Sequence, residues 1–184
     1  MRRTFIAVDI TPGEKLLSTV AIIRKKLANE NIKWTDTGNM HLTLAFLGDT
    51  EEETLRKIAE GLPKITAGAE APHFTVTGLG LFPGINNPRV LWAGIKDHQS
   101  LTYLQKRISD FLHTLYINTE EREFKPHLTI GRIKYLKNTS NLNNLMTGFR
   151  DTVFQDVQVK EVIYYESILK PEGPQYKPVA VAVI

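Results

Sequence analysis

One four-residue phrase occurs twice in the chain, as His41-Leu42-Thr43-Leu44 and as His127-Leu128-Thr129-Ile130. It restricts the fold more than any other stretch. In an extended strand successive side chains point to opposite faces, so the His and Thr of each phrase share one face. They stand about 7 Å apart along it. Leu42 and Leu44, or Leu128 and Ile130, point to the other face, where a core can cover them. Two such surfaces facing each other supply two proton-transfer groups and two hydroxyl donors around one small anion.

The flanks of the two phrases repeat as well. Residues 4–10 read as a buried strand, followed by Thr11 as N-cap, Pro12 at N1 and Glu14 at N3 of a capping box. Leu16, Val20, Ile23 and Leu27 recur at helical spacing, which predicts a helix to about Asn29. A short extended piece at 32–34 and turn chemistry at 36–39 lead to the first phrase, whose strand runs over 41–47 and ends at Gly48. A second capping box at 50–53 predicts a helix buried through Leu55, Ile58, Ala59 and Leu62 and closed by Pro63. A hairpin follows, with strands at 73–81 and 89–95 around a turn at 83–88. Asp97 is the expected cap of a third helix with Leu101, Leu104, Ile108, Phe111, Leu112 and Leu115 inward. Polar residues 118–123 and then Phe124-Lys125-Pro126 bring the chain to the second phrase. Beyond it come a polar loop over 137–144 with a short helix after it, and strands at 153–167 and 179–184 linked by the turn 171–174.

His41 follows Ile10 by 31 residues and His127 follows Ile95 by 32, with a helix in each interval. Two strand–helix–strand units of nearly equal length therefore each deliver a His-x-Thr strand, as an internal duplication does. The fold class expected is α+β, with two antiparallel-rich sheets, helices outside, and a central cleft carrying both motifs. Residues 1–184 are expected to form a single domain of two pseudo-symmetric lobes.

Composition bounds the chemistry. A chain of 184 residues, 42% hydrophobic and 23% charged, has the makeup of an ordinary globular protein large enough for a substantial core. The net charge of +3 is compatible with a polyanionic partner without requiring one. With no cysteine, thiol nucleophiles, disulfides and thiolate metal sites are excluded, and a reducing cytoplasm is the expected location. No run approaches the ~20 apolar residues of a membrane helix, and Met1-Arg2-Arg3 leads directly into a strand, so no membrane partner is expected.

A lone His-x-Thr is weak evidence, and the chain contains a third, His73-Phe74-Thr75, which lacks the preceding helix and reads as structural. His98 and His113 fall off the apolar stripe of the third helix and read as solvent-facing. His41 and His127 differ because four positions recur at matched places in a repeat. Two histidines without a third ligand are thin for zinc, and a phosphohistidine nucleophile needs no matched pair, so no metal and no cofactor are expected. Paired imidazoles suit general acid–base cleavage of a phosphodiester: one takes a proton while the other gives one. The hydroxyls of Thr43 and Thr129 can donate to the non-bridging oxygens. A strained 2′,3′-cyclic phosphate is reactive enough for this without metal.

At these residues the chain resembles the two-histidine (2H) phosphoesterase superfamily, and within it the RNA 2′,3′-cyclic phosphodiesterases, also called 2′-5′ RNA ligases. The likeness is carried by the stretches 3–9, Asn39-Met40-His41-Leu42-Thr43-Leu44-Ala45-Phe46-Leu47-Gly48, 78–83, 89–94, Phe124-Lys125-Pro126-His127-Leu128-Thr129-Ile130-Gly131-Arg132 and Gly173-Pro174-Gln175-Tyr176. Gly131 stands where relatives often have Ala. The resemblance implies metal-independent hydrolysis of an RNA-terminal 2′,3′-cyclic phosphate to a 2′-phosphate, with reversible 2′-5′ ligation as a companion activity. It implies His41 as general acid on O3′, His127 as the base for water, and Thr43, Thr129 and Arg132 as phosphate-binding residues. Arg132 lies five residues after His127, on the wrong strand parity, and reaches the phosphate only if the strand bends near Gly131.

The partners implied are RNA ends bearing a 2′,3′-cyclic phosphate, tRNA fragments among them, met by a monomer. Phe46 and Trp92 are candidates for a base-stacking face, but both read more simply as core residues of their strands. Arg24, Lys25 and Lys26 read as a solvated helix face. The alternatives are a related enzyme acting on a cyclic nucleotide or a 2′-5′ linkage, and a non-catalytic RNA-end binder.

Overall fold

The computed structural model describes residues 1–117, 123–171 and 173–184. The polar stretch 118–123 therefore lies, apart from Glu123, outside the described residues. The elements are β1 (Arg2–Asp9), α1 (Glu14–Lys26), β2 (Asn31–Trp34), a 3-10 turn (Thr37–Asn39), β3 (His41–Thr50), α2 (Glu52–Thr66), β4 (His73–Phe82), β5 (Val90–Lys96), α3 (Gln99–Thr114), β6 (His127–Tyr135), α4 (Ser140–Gly148), β7 (Val153–Gln158), β8 (Glu161–Leu169) and β9 (Pro174–Val183).

The strands form a four-stranded sheet in the order β3-β1-β8-β9 and a five-stranded sheet in the order β2-β6-β5-β4-β7. Every pairing between them is antiparallel. β2 aside, the two sheets repeat one plan. A His-x-Thr strand lies at one side and pairs with the strand that precedes it across a helix, β3 on β1 and β6 on β5. The fold is thus α+β with two antiparallel sheets, as the duplicated pattern requires.

The back faces of both sheets and the inner stripes of all four helices share one core. α1 contributes Leu16, Val20 and Ile23, α2 Leu55, Ile58 and Leu62, α3 Leu101, Leu104, Ile108 and Leu112, and α4 Leu142 and Leu145. These positions recur every three or four residues, the period that keeps one helical stripe facing a sheet. Leu42, Leu44, Leu128 and Ile130 enter the same core from the two phrases. β1 is buried on both faces, because Phe5 and Ala7 on its other side pack with Ile163 and Tyr165 in a small second cluster. That explains its unbroken apolar run.

Several local expectations are corrected. α1 starts at Glu14 with Gly13 as N-cap and no side-chain cap. Its free N-terminal groups are met from β7 instead: Gln155 accepts from Gly13 N and donates to Thr11 O. Thr50 does not cap α2. Its hydroxyl pairs with Thr4 Oγ1 at 2.7 Å in the first sheet, and Glu51 takes the cap position. α2 runs past Pro63 to Thr66, because a proline in the last turn forfeits only one helical bond. Asp97 does not cap α3; it turns the chain with φ 55°, and His98 is the N-cap. The expected strand 153–167 is two strands in different sheets: the chain crosses between them at Val159 and Lys160, where Val159 N bonds Pro72 O and Ile184 N bonds Lys160 O. The last strand begins earlier than expected, at Pro174, and the helix after β6 already starts at Ser140.

Candidate active site

The parity of both phrases is as the alternation demands. Leu42, Leu44, Leu128 and Ile130 are buried, while His41, Thr43, His127 and Thr129 lie on the open faces of their sheets. Both His-x-Thr strands then carry a bulge at the same place. On β3, Thr43 pairs with Ala7 but Ala45 with the very next residue back, Ile6. On β6, Thr129 pairs with Trp92 and Gly131 with Leu91. The extra residue, Leu44 or Ile130, leaves two successive side chains on the buried side and reverses the alternation beyond it. Arg132 therefore returns to the face of His127 and Thr129 and is exposed. This is the bend near Gly131 that its parity called for.

The matching bulge on β3 does the same for Phe46, the residue five after His41. Phe46 is 43% exposed on the open face, with the Arg3 guanidinium 5.1 Å from its ring centre. Its reading as a core residue is corrected, since strict alternation places it inward and the bulge turns it out. Trp92 is half-buried rather than core: it shares the open face of β5, 5.0 Å from the Phe82 ring and 6.5 Å from that of His127.

Both imidazoles are held by the same device. His41 Nδ1 lies 2.8 Å from Asn39 O, and His127 Nδ1 lies 2.9 Å from Lys125 O. A carbonyl only accepts, so Nδ1 carries the proton in each ring and Nε2 is left for a ligand. Aromatic rings fix the planes. His41 sits 5.0 Å from Phe5 and edge-on to Tyr176 at 5.1 Å; His127 sits edge-on to Phe82 at 4.9 Å.

The two surroundings are not equal in charge. Asp9 faces His41 across the β1–β3 register, where His127 faces Gly94. Tyr165 Oη donates to Asp9 Oδ2 at 2.7 Å and so anchors that carboxylate. Burial lowers the His41 pKa below the usual imidazole value; the Asn39 carbonyl and Asp9 push it up, and Arg132 and His127 push it down. Arg132 and His127 thus lie near enough to His41 for their charges to act on it. Burial likewise raises the Tyr165 phenol, with Asp9 adding to the effect.

The model of the family described as LigT like phosphoesterase matches residues 8–92, which include the first phrase. The RNA 2′,3′-cyclic phosphodiesterase of Archaeoglobus fulgidus is 32% identical over 97% of this chain and 98% of its own length, and that of Thermotoga maritima 35% identical over 95% and 91%. The chain belongs to the LigT-like phosphoesterases. Its fold matches the crystal structure of TT0787 of Thermus thermophilus (26% identity, TM-score 0.74, covering 98% and 97% of the two chains). It also matches that of E. coli LigT in apo form (21% identity, TM-score 0.71, 99% and 96%).

Within this phosphoesterase the third His-x-Thr stays apart. His73 is exposed and pairs with Gln158, and Thr75 donates to Asp156. Among the other candidates, His113 is exposed but His98 is half-buried, with Nδ1 2.9 Å from Thr102 Oγ1. Of the basic cluster, Lys25 and Lys26 are exposed, while Arg24 packs over Trp34 and donates to Thr35 O. Among the described residues no group of three or more His, Cys, Asp or Glu side chains is placed to hold a metal, and no helix is long and apolar enough to cross a membrane. Sequence reasoning assigned no site role to Asp9, Tyr165, Phe5, Phe82 or Tyr176, although all but Tyr165 lie in stretches that carry the family resemblance. They come from four strands, Phe5 and Asp9 from β1, Phe82 from β4, Tyr165 from β8 and Tyr176 from β9, and only the sheet registers bring them to the histidines.

Proposed function

We infer that this phosphoesterase hydrolyses RNA-terminal 2′,3′-cyclic phosphate to a 2′-phosphate, without metal, by acid–base catalysis between His41 and His127. The observation that best supports the reading is the matched tethering of Nδ1 in both rings, which leaves each Nε2 for a ligand. His127 takes the proton of the attacking water, and His41 delivers one to the departing O3′. A lowered pKa makes His41 a strong proton donor. The Asp9 carboxylate and the negative phosphate itself favour its charged form. Thr43, Thr129 and Arg132 donate to the non-bridging oxygens as charge builds there. Phe46, exposed beside Thr43 and backed by Arg3, offers its ring to the terminal base.

The relatives' names support the substrate class, RNA with a cyclic phosphate end. tRNA fragments are one such class, a cysteine-free chain suits the cytoplasm, and the enzyme acts as a monomer in this reading. The test is turnover on RNA oligomers ending in 2′,3′-cyclic phosphate, with the product resolved as 2′- or 3′-phosphate. A 2′-phosphate product is expected. A 3′-phosphate product, or tight binding without turnover, overturns the reading.

A further inference from the structure

The strand of the second phrase, β6, runs on past Arg132 beside the edge strand β2. Antiparallel partners point to one face, so Lys33, the cross-strand partner of Arg132, shares the open face with it. Ile32 and Trp34, on either side of Lys33, pack against the core. Asn31 lies two residues before Lys33, about 7 Å along the same face, and its partner is Tyr135. A second bulge in β6 makes this so. Ile32 pairs with Ile133 but Asn31 with Tyr135, which turns outward a ring that strict alternation from Arg132 would point to the core. Tyr135 is 62% exposed. Lys33 is exposed too, and its ammonium reaches toward the first sheet: a Cβ on Gly173, between β8 and β9, would lie 3.7 Å from Nζ. Neither Lys33 nor Arg132 forms an ion pair among the described residues. The Glu30 carboxylate, just before β2, is turned to the backbone N–H groups of Lys137 and Asn138 rather than to either cation.

Two such cations followed one step on by an exposed aromatic ring suit a single nucleic-acid strand, with cations on phosphates and a ring on a base. An edge strand can carry lysine merely to block pairing with another chain, but an outward tyrosine beside it serves no such purpose. Arg132 belongs to the end phosphate and Phe46 to the terminal base, so Lys33 and Tyr135 are left for what precedes them in the strand. The step of about 7 Å between the two cross-strand pairs is one that an extended nucleotide covers. We propose that the β2–β6 ribbon is the subsite for the penultimate nucleotide. Lys33 holds the phosphate 5′ of the terminal ribose, and Tyr135 stacks on the base of the nucleotide before it. The proposal rests on the reading of His41, His127 and Arg132 as the site of the cyclic phosphate. It makes the enzyme select a strand end over a mononucleotide, because a nucleoside 2′,3′-cyclic phosphate stops at its 5′-hydroxyl and reaches neither residue.

The experiment compares hydrolysis of a nucleoside 2′,3′-cyclic phosphate with that of a dinucleotide and a hexanucleotide carrying the same end, for the wild type, Lys33→Ala, Tyr135→Ala and Tyr135→Phe. Wild-type kcat/KM should rise about tenfold or more from mononucleotide to dinucleotide, and less from there to the hexanucleotide. Lys33→Ala and Tyr135→Ala should each lower kcat/KM on the dinucleotide about fivefold or more, chiefly through KM, while Tyr135→Phe keeps the ring and stays near wild type. All three variants should turn over the mononucleotide within about twofold of wild type, which also reports intact folding. Lys33→Ala should reduce the slope of log KM against log salt on the dinucleotide by about 0.7, the share of one phosphate contact on a single strand. Equal losses on mononucleotide and dinucleotide, no loss on either, a Tyr135→Phe as impaired as Tyr135→Ala, or a wild type without preference for the dinucleotide each overturns the proposal. A wild type that hydrolyses none of the three substrates instead overturns the reading of the enzyme itself, and the proposal with it.

Discussion

Arg132→Ala isolates the contribution of the bulge in β6. The arginine is exposed and in no ion pair among the described residues, so its removal strands no carboxylate and leaves the core untouched. Only the bulge after Thr129 places it on the face of His127. A hydrogen bond to a charged group is worth about 1.5–3 kcal/mol. At about 1.4 kcal/mol per decade this predicts a loss of roughly 10- to 150-fold in kcat/KM on an oligomer with a cyclic phosphate end. Arg132→Lys should recover part of the loss, since it keeps the charge but not the planar fork. A second readout is independent of substrate. Arg132 holds the His41 pKa down, so Arg132→Ala should move the His41 ring titration, followed by NMR, to higher pH. Kinetics within twofold of wild type together with an unmoved His41 titration would refute the placement of Arg132 in the site.

Further outcomes follow from the same geometry. His41→Ala and His127→Ala should each lower turnover by about 10²-fold or more with folding retained by circular dichroism, whereas His73→Ala should be silent; a comparable loss in the His73 variant would contradict its placement outside the site. Thr43→Val and Thr129→Val keep shape but remove a donor, and each should lower kcat by roughly 10–10³-fold in steady-state assays. Asp9→Asn removes a carboxylate that raises the His41 pKa, so His41 should titrate at lower pH, the direction opposite to Arg132→Ala, and the pH–rate limb that reports it should move the same way.

Much of the site was legible in the sequence because it rests on period-2 alternation and on a repeated interval, both local properties of the chain. His41, Thr43, His127 and Thr129 share open faces for that reason alone. Arg132 was legible as a condition, a bend near Gly131. Phe46 was misplaced because the same bend in β3 had no glycine to mark it. The helix starts were misread for a different cause: Thr11 and Thr50 have good capping chemistry, but Gln155 from 144 residues away and the Thr4 hydroxyl compete for the same groups. The division of 153–167 into two strands has no Gly or Pro to announce it, and only the pairing of β7 with β4 and of β8 with β1 creates the crossing. Asp9, Tyr165 and Tyr176 meet His41 through three strand registers, information that no single stretch contains.

The most direct test of the two-histidine mechanism is the pH dependence of kcat/KM on cyclic-phosphate-ended RNA, measured before and after exhaustive chelation with EDTA. Two imidazoles that must be in opposite protonation states give a bell, falling where both are charged and where both are neutral. That bell is expected with an optimum near neutrality and with the same profile after chelation. Loss of activity with EDTA and its recovery on adding metal would contradict it.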